Sequence, residues 1–313
     1  METKKGKYNI IIDTDPGTDD ALAIAVASVW IKSGIRAMIS TYGNVDGNQT
    51  YRNLINLAAL LDIRCDILQG ALCPLDQKTI EVTNFHGTDG LCGVTLPNAD
   101  APNLVHDSIE KLYEIIKEYG NIKYIAIGPL TNLATLICRF PDAGQYIDEV
   151  IIMGGGFSIS NVEHDAEYNF SMDAKAVQNV LQSPLKKVIA PLDMTHKNAL
   201  SITEIEQIIG SRRDESDELG NKASVYEIMS QLLFKNYDTC IAHGEEGAII
   251  HDAATLAYLL DSTMCRIKEA AVSADDHGAV RFDSDGNRNL VKIIETLDKD
   301  FFVGMLRSVF ENF

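Results

Sequence analysis

The sequence predicts an α/β protein, a single domain over residues 1–313 in which a mostly parallel central sheet is flanked by helices. Three observations lead to this prediction. Short apolar, β-branched stretches alternate with segments of helical periodicity along the chain. The first four apolar stretches are continuous rather than alternating, which is typical of strands covered on both faces. No internal repeat or low-complexity linker divides the chain into separate units.

The predicted strands and helices alternate in chain order. The strands are Tyr8–Ile12, Arg36–Thr41, Asp66–Leu68, Ile122–Ile127, Glu149–Met153, Lys187–Ala190, Ile267–Val272 and Leu290–Thr296. The helices are Asp19–Lys32, Gln49–Leu61, Leu104–Glu118, Leu130–Cys138, Asp173–Gln182, Thr203–Ile209, Lys222–Tyr237, Asp252–Leu260 and a C-terminal helix from Lys299. The charged stretch Ser211–Gly220 is interpreted as an exposed loop. Because ligands bind beyond the carboxyl ends of parallel strands, the residues after each strand are the candidates for a site.

Composition excludes several classes of partner. The formal net charge is −18, whereas binding to nucleic acid or to an anionic membrane requires a basic face. The longest apolar stretch, Ala21–Ile31, is too short to cross a bilayer, and the N-terminal residues lack the apolar segment of a secretion signal. The six cysteines are scattered without a C-x-x-C pair, which argues against a zinc site or a disulfide framework and favours a reducing cytoplasm.

Four carboxylates fall within the eight residues DTDPGTDD, residues 13–20, between two apolar stretches. Aspartates at a helix N-terminus can cap free N–H groups, but capping explains one or two of the four and does not also explain Asp15. Their mutual repulsion should cost stability unless a cation lies among them. Oxygen ligands select a hard cation, Ca²⁺ or Mg²⁺, over zinc or copper. The stretch is not an EF-hand loop, since it lacks the glycine at the sixth position and the glutamate at the twelfth.

Polar residues also follow other predicted strands. They are Asn44, the pair His86 and Asp89 in a Gly-rich loop interpreted as a lid, the group Asn161, Glu167 and Asn169, and the pair His251 and Asp252. Each has an ordinary structural explanation, since turns collect asparagine and Asp252 can cap a helix. The functional interpretation makes the amides ligands of sugar hydroxyls, Asp252 a metal ligand and His251 an acid near neutral pH.

Taken together, these segments resemble the inosine-uridine preferring nucleoside hydrolase family. The resemblance runs in order through DTDPGTDD, YGNV, HGTDGL, GPLTN, IMGGG, NVEHDAEYN, PLDMTH and HDA, over roughly residues 8–260. It implies a Rossmann-like fold with a central, mainly parallel sheet and a Ca²⁺ ion beneath the ribose of a ribonucleoside. The implied reaction is hydrolysis of the N-glycosidic bond to ribose and a free purine or pyrimidine base. The family is commonly dimeric or tetrameric, which implies a homodimer or homotetramer.

The resemblance also implies a role for individual residues. Asp15, Asp20 and Asp252 match metal-binding carboxylates, Ile127 matches the residue that lends its backbone carbonyl, and Asp15 would also be the general base. His251 matches the position that protonates the leaving base in part of the family. The positions that match the ribose site are Asp19, Asn44, Met153, Asn161, Glu167 and Asn169. Asp13 would be supporting structure.

Two aromatic side chains are candidates for the base side of the site. His86 matches a base-side histidine of the family. Tyr237 lies in Phe234–Gly247, a segment expected to contribute to the pocket, and has two interpretations, stacking on the base or packing in the core. Base-contacting residues are therefore expected from this segment and from the lid.

Two other functions stay open at the level of the sequence. A Mg²⁺-dependent phosphohydrolase would need a cationic phosphate clamp, and Lys197, after PLDMTH, is the cation that the motifs offer. A non-catalytic Ca²⁺-dependent ribose-binding protein would share the site but would have no need of Asp15 and His251 as base and acid.

Overall fold

The secondary structure comes from a computed structural model, which describes residues 8–77, 82, 84–102, 106–210, 221–283 and 290–313, without the side chains of residues 221–224. Strands β1 to β9 are, in chain order, Asn9–Thr14, Ile35–Ser40, Asp66–Gln69, Ile122–Ala126, Ile147–Met153, Lys187–Ala190, Cys265–Ala274, Val280–Phe282 and Leu290–Leu297. Helices α1 to α11 are Thr18–Trp30, Gly47–Leu60, Ser108–Tyr119, Thr131–Arg139, Tyr168–Met172, Ala174–Gln182, Leu192–Thr195, Ile202–Ile209, Asn221–Ala242, Ala253–Leu260 and Lys299–Asn312. The predicted loop Ser211–Gly220 lies outside the described residues. None of the described helices is long and apolar enough to cross a membrane.

The nine described strands form one sheet in the order β3-β2-β1-β4-β5-β6-β9-β7-β8. Neighbours from β3 to β9 run parallel, whereas β7 is antiparallel to β9 and β8 is antiparallel to β7. The predicted α/β fold with a mostly parallel sheet is therefore confirmed. The chain winds from β1 through β2 to β3 on one side and then places β4 on the other side of β1. Such a reversal leaves a crevice at the carboxyl ends of β1 and β4, where ligands bind.

The apolar core lies in two layers, one on each face of the sheet. In β1, Ile10 and Ile12 join one layer and Ile11 joins the other, which is why the strand reads as a continuous apolar run. Helix α1 is buried from Thr18 to Ser28 and packs against α9, α10 and α11. Because α1 is enclosed on all sides, the residues at its N-terminus are held firmly beside the crevice.

Some helix and strand ends differ from the predicted ones for identifiable reasons. Helix α3 was predicted to begin at Leu104, which lies outside the described residues, and it begins at Ser108. The Asp107 carboxylate caps this end, because it accepts the N–H groups of Ile109 and Glu110 at 3.1 and 3.0 Å. Helix α5 and strand β8 were not predicted, since five and three residues are too few for a periodic pattern.

Lys187, at the start of β6, is a buried cation in the apolar layer. Its side chain is almost fully enclosed, its Nζ donates to the backbone carbonyl of Ser183 at 2.6 Å, and burial lowers its pKa to about 8. A desolvated charge costs more than one hydrogen bond to a carbonyl returns. We therefore expect Lys187→Met to raise the free energy of unfolding at pH 7 by about 1–2 kcal/mol.

The pH dependence gives this prediction a second readout. The ordinary lysine pKa is 10.5, so between pH 8 and 10.5 the unfolded chain binds more protons and the wild-type protein gains stability as pH rises. Urea denaturation at pH 7 and pH 9.5 should show the advantage of Lys187→Met shrinking at the higher pH. Lys186→Met, at an exposed neighbour paired with Asp148, is the matched control and should change little. A destabilised Lys187→Met protein at pH 7 would contradict the prediction.

Candidate active site

Aspartates from two distant segments meet at the carboxyl end of β1. Asp19 and Asp20 lie in the first turn of α1, and Asp252 directly precedes α10. One carboxylate oxygen from each of the three lies within 4.8 Å of the other two, and all three residues are buried. The structure therefore brings the first motif and the late His-Asp pair together, as the sequence predicted.

Capping explains part of this cluster and not the rest. The Asp20 carboxylate accepts the Gly17 N–H at 2.9 Å and the Asn44 side-chain amide at 3.1 Å, and the Thr14 hydroxyl also donates to it. Asp20 therefore does cap α1. Asp252 makes no capping hydrogen bond at the start of α10, although it occupies the capping position. Its carboxylate belongs to the cluster, which leaves a buried negative charge that capping does not explain.

Asp15 lies in a narrow slot between two glycines. Its Oδ2 accepts the Asn44 backbone N–H at 2.8 Å, and its Oδ1 is buried without a hydrogen-bond partner. A β-carbon at Gly43 would lie 2.0 Å from Oδ2, and one at Gly128 would lie 2.5 Å from Oδ1. Only glycine leaves room for the carboxylate at both positions. An orphaned buried carboxylate oxygen is the kind of atom that a bound cation would satisfy.

The electrostatics of the cluster also fit a cation. Burial raises the pKa of Asp19 and of Asp20 to about 6, and the Asp19 charge adds to the shift of Asp20. Burial, reinforced by the neighbouring carboxylates, raises the pKa of Asp15 and of Asp252 well above its usual range. Buried like charges favour protonation unless a positive charge lies among them. Ile127 lies beside a cavity next to these carboxylates and could add its backbone carbonyl as a ligand. The candidate ligands are then all oxygen atoms, as a hard cation requires.

A cavity of about 590 Å³ opens beside the cluster. The predicted site residues that line it are Asp19, Asn44, His86, Ile127, Met153, Asn161, Glu167, Asn169, His251 and Asp252. Asp15 and Asp20 do not line it and are fully buried at the carboxyl end of β1. The lining residues include neither lysine nor arginine within the described part of the chain. The cavity thus joins the acidic cluster to a polar wall without lysine or arginine among its described residues.

The wall between β5 and α6 is organised by backbone amides. The Glu167 carboxylate accepts the N–H groups of Gly155, Asn169 and Phe170 at 2.9–3.1 Å, and burial raises its pKa to about 7. The Asn161 Oδ1 accepts the N–H of Tyr168 at 2.9 Å, so its amide nitrogen is the part left to donate to a ligand. These contacts hold the polar side chains of the loop in fixed positions.

Asn169 connects this wall to the metal side of the cavity. Its side-chain nitrogen lies 3.2 Å from the Ile127 carbonyl and 3.4 Å from the Met153 carbonyl, at the ends of β4 and β5. Asn169, a predicted ribose-binding residue, is therefore in hydrogen-bonding contact both with Met153 and with the predicted carbonyl ligand, Ile127.

Histidines also line the cavity. The Nδ1 of His251 is hydrogen-bonded to the Thr195 hydroxyl at 2.8 Å, and burial lowers the pKa of His251 to about 3. The Nδ1 of His86 accepts the Thr18 N–H at 3.3 Å, so in the neutral ring its Nε2 carries the proton, 3.8 Å from an Asp19 oxygen. Burial lowers the pKa of His86 to about 4. Both rings are neutral at pH 7 in the protein without a ligand.

Comparison with known proteins decides the family. The sequence model described as inosine-uridine preferring nucleoside hydrolase matches residues 10–304. The chain belongs to this family. The match extends past Leu260, where the sequence motifs end, and confirms the resemblance read from the earlier motifs. The protein is an enzyme of the nucleoside hydrolase type.

Relatives and solved structures agree with the family. The pyrimidine-specific ribonucleoside hydrolase RihA of Klebsiella pneumoniae is 31% identical over 311 residues, which cover 95% of this chain and 96% of that protein. RihA of Salmonella arizonae is also 31% identical, with the same coverage. Solved structures that share the fold include the following two. The plant nucleoside hydrolase PpNRh1 has a TM-score of 0.87 at 23% identity and 99% coverage of both chains, and the purine-preferring ribonucleoside hydrolase of Gardnerella vaginalis has 0.86 at 21%, covering 99% of this chain and 98% of that one.

The sequence analysis of this nucleoside hydrolase did not single out His196 or Glu245, although Glu245 lies in the segment Phe234–Gly247 that was expected to contribute to the pocket. The His196 ring packs edge-on against His251, with centroids 5.6 Å apart, and its Nδ1 lies 3.4 Å from a Glu245 oxygen. Both His196 and Glu245 line the cavity. The motif PLDMTH could have indicated His196, because it directly follows β6 and places Thr195 and His196 near the carboxyl end of that strand.

Tyr237 is partly buried against the apolar core and is not among the described residues that line the cavity. The stacking interpretation is therefore not supported, and core packing is what the structure has. Tyr237 lies about one turn before Cys240 on α9. The end of α9 and the residue after it contribute Cys240 and His243 to the cavity instead, and the His243 ring lies 4.9 Å from that of Phe85.

Proposed function

We propose that this nucleoside hydrolase uses water to cleave the N-glycosidic bond of ribonucleosides, giving ribose and a free purine or pyrimidine base, with Ca²⁺ as its cation. The observation that carries the proposal is the Asp15 carboxylate. It has one buried oxygen without a partner, and it interacts with Asp19 and Asp20 of the acidic cluster, beside a cavity lined by asparagine, glutamate and histidine side chains.

The proposed ligands of the cation are the carboxylates of Asp15, Asp20 and Asp252 and the carbonyl of Ile127. Asp19 is both a member of the acidic trio and a proposed ribose ligand, so its carboxylate lies where the two sites adjoin. When bound, Ca²⁺ would neutralise the cluster and supply positive charge to the ribose hydroxyls and the attacking water.

The remaining ribose contacts come from side chains that are already fixed. The proposed ligands of the hydroxyls are Asp19, Asn44, Met153, Asn161, Glu167 and Asn169. Asn161 offers its amide nitrogen, because its oxygen is occupied by Tyr168. Since these groups are held by backbone amides and by one another, binding would cost them little side-chain entropy.

Asp15 is the proposed general base. The attacking water must lose a proton as the bond to the base breaks, and a carboxylate with a free oxygen can accept it. Departure of the base leaves positive charge on the ribose, as in other glycoside hydrolyses. The buried carboxylates provide a fixed negative environment for that charge.

His251 is the proposed acid for the leaving base, and His86 supports it on the same wall. His251 is neutral before substrate binds, because burial lowers its pKa. Negative charge that develops on the departing base raises the pKa of a neighbouring imidazole, which allows His251 to deliver a proton in the transition state.

This role predicts a substrate-dependent effect. His251→Ala should lower kcat for uridine by about 10²–10³-fold, because a nucleobase leaves poorly as an anion. The same variant should hydrolyse p-nitrophenyl riboside at nearly the wild-type rate, since nitrophenolate leaves without a proton. His277→Ala, at an exposed histidine, is the matched control. Equal losses on uridine and on the nitrophenyl riboside would exclude the acid role.

A panel of nucleosides assayed for released ribose tests the proposed function. Uridine and cytidine come first, because relatives at 31% identity are named pyrimidine-specific, followed by inosine, adenosine and guanosine. Ribose release that stops with EGTA and returns with Ca²⁺ is the expected result. No ribose from any member of the panel would overturn the proposal.

The two alternative functions give different results in the same experiment. A phosphohydrolase would release phosphate from nucleotides, but no lysine or arginine is among the described residues lining the cavity, and the Lys197 Nζ donates to the Glu295 carbonyl at 3.3 Å. A ribose-binding protein would bind the nucleoside with Ca²⁺ and release no ribose.

We also propose a cellular location and an oligomeric state for the protein. We place it in a reducing cytoplasm, because the six cysteines are free and the chain has no charge complementarity to nucleic acid or membrane. A homodimer or homotetramer is proposed from the family resemblance, and sedimentation equilibrium would measure it.

A further inference from the structure

The segment that carries His86 is folded upon itself and is joined to the metal motif through Asn53 and through the contact of the His86 ring with Thr18. Within the segment, the Asp89 carboxylate accepts the N–H groups of Leu91 and Gly93 at 3.0 Å, and the Cys92 N–H donates to the His86 carbonyl at 2.9 Å. His86 and Leu91 are buried. The segment is therefore a preformed unit rather than a loose lid, and its position depends on how the unit is attached.

Asn53, on α2, supplies a polar attachment between the two parts. Its side-chain nitrogen donates to the Asp89 carbonyl at 2.9 Å and to the Pro16 carbonyl of the metal motif at 3.2 Å. Its oxygen accepts a hydrogen bond from the Gln49 side-chain amide at 2.9 Å, which fixes the orientation of the Asn53 amide group. A β-carbon at Gly90 would lie 2.9 Å from the Asn53 nitrogen, so the segment also packs closely against this amide.

We propose that Asn53 is a positioning residue that sets His86 against Asp19 on the leaving-group side of the cavity. This inference rests on the proposed function and deepens it. Asn53 is buried and does not line the cavity, so it acts through the residues it holds. Two N–H donors on one planar group are needed for two carbonyls, and neither aspartate nor leucine provides them.

Removal of the Asn53 side chain should displace the His86 segment rather than the metal motif, because the metal motif is also held by other hydrogen bonds. The Ala21 N–H donates to the Gly17 carbonyl at 3.1 Å, the Gly17 N–H donates to Asp20, and the Asn44 amide donates to the Asp15 carbonyl at 3.0 Å. The His86 ring contacts the metal motif at Thr18, where its Nδ1 lies 3.3 Å from the N–H and 3.1 Å from the hydroxyl oxygen. Without Asn53, the His86 segment loses its tie to the turn at Pro16 while the carboxylate cluster keeps its own.

The first test is the substrate dependence of Asn53 variants of the full chain. Asn53→Leu and the isosteric Asn53→Asp should each lower kcat for uridine by about 10–100-fold, because displacement of a positioned group by an ångström costs that much. Hydrolysis of p-nitrophenyl riboside, which needs no leaving-group proton, should stay within about twofold and also shows that the variant is folded. Asn56→Leu is the matched control, a buried asparagine one turn along α2 that accepts the Ala99 N–H.

The second test asks whether Asn53 acts through His86. If it does, the double variant Asn53→Leu/His86→Ala should lose no more uridine activity than His86→Ala alone. Multiplicative losses, or equal losses of Asn53→Leu on both substrates, would overturn the proposal. Failure of the proposed function is separate, since it would appear as no ribose release by the wild-type protein.

Discussion

Asp15→Asn should reduce ribose release from uridine by about 10³-fold or more, because it removes both a proton acceptor and a charged ligand. The carboxamide has the shape of the carboxylate and fits the slot between Gly43 and Gly128. Its oxygen must accept the Asn44 N–H, which turns the amide nitrogen toward the position of the unpartnered Oδ1. A donor then lies where the proposed cation and water need an acceptor.

Asp13→Asn is the matched control for this prediction. Asp13 is equally buried two residues earlier, but its oxygens accept from the neutral groups of Tyr124 and Asn132 at 2.7 and 2.8 Å. Both partners can pair with a carboxamide, since the tyrosine hydroxyl also accepts. Steady-state kinetics with saturating Ca²⁺, together with circular dichroism, should show two folded variants of which Asp15→Asn has lost turnover. An Asp15→Asn enzyme within tenfold of wild type would remove Asp15 from the mechanism.

Much of this fold could be predicted because buried parallel strands leave a strong sequence signal. The continuous run Ile10–Ile12 is enclosed by both core layers, so its pattern identified β1, and the polar residues after it identified the site. The resemblance implied that Asp20 and Asp252 share a metal site, and the structure brings their carboxylates together with that of Asp19, which matched the ribose site. Nothing local in the sequence shows that Gly43 and Gly128 form the slot for Asp15, since close approach between separate loops has no periodic signature.

The base side was predicted less well for a related physical reason. His196 and Glu245 lie on separate segments, and their pairing depends on how α7 and the residues after α9 come together. Tyr237 lies on α9 and His243 directly after its last residue, and of the two only His243 is among the described residues that line the cavity. The sequence left base stacking and core packing both open for Tyr237, and the structure packs Tyr237 against the core while His243 lines the cavity.

Removal of the cation should make the stability of the protein depend on pH in a specific way. The pKa of Asp19 and of Asp20 in the cation-free fold is about 6, against an ordinary value of 3.8. The folded state therefore binds more protons than the unfolded chain between pH 4 and 6, and the free energy of unfolding falls as pH rises through this window. Bound Ca²⁺ favours the ionised carboxylates, so the Ca²⁺-saturated protein should not show this loss.

The measurement is the difference between urea denaturation in Ca²⁺ and in EGTA, at pH 4.5 and at pH 7. We expect the stabilisation by Ca²⁺ to grow by on the order of 2 kcal/mol over this range, and by more if the cation is held at about 100 times its Kd. The lowered pKa values of His86 and His251 make the free energy of unfolding rise with pH, both in Ca²⁺ and in EGTA. Subtracting one free energy of unfolding from the other cancels this contribution. In Asp252→Asn the stabilisation by Ca²⁺ should increase less between pH 4.5 and pH 7, because the cluster then has one fewer negative charge. If the two stability curves stay parallel from pH 4.5 to 7, the carboxylate cluster does not hold the cation, and the crowding of charge in DTDPGTDD must be balanced in another way.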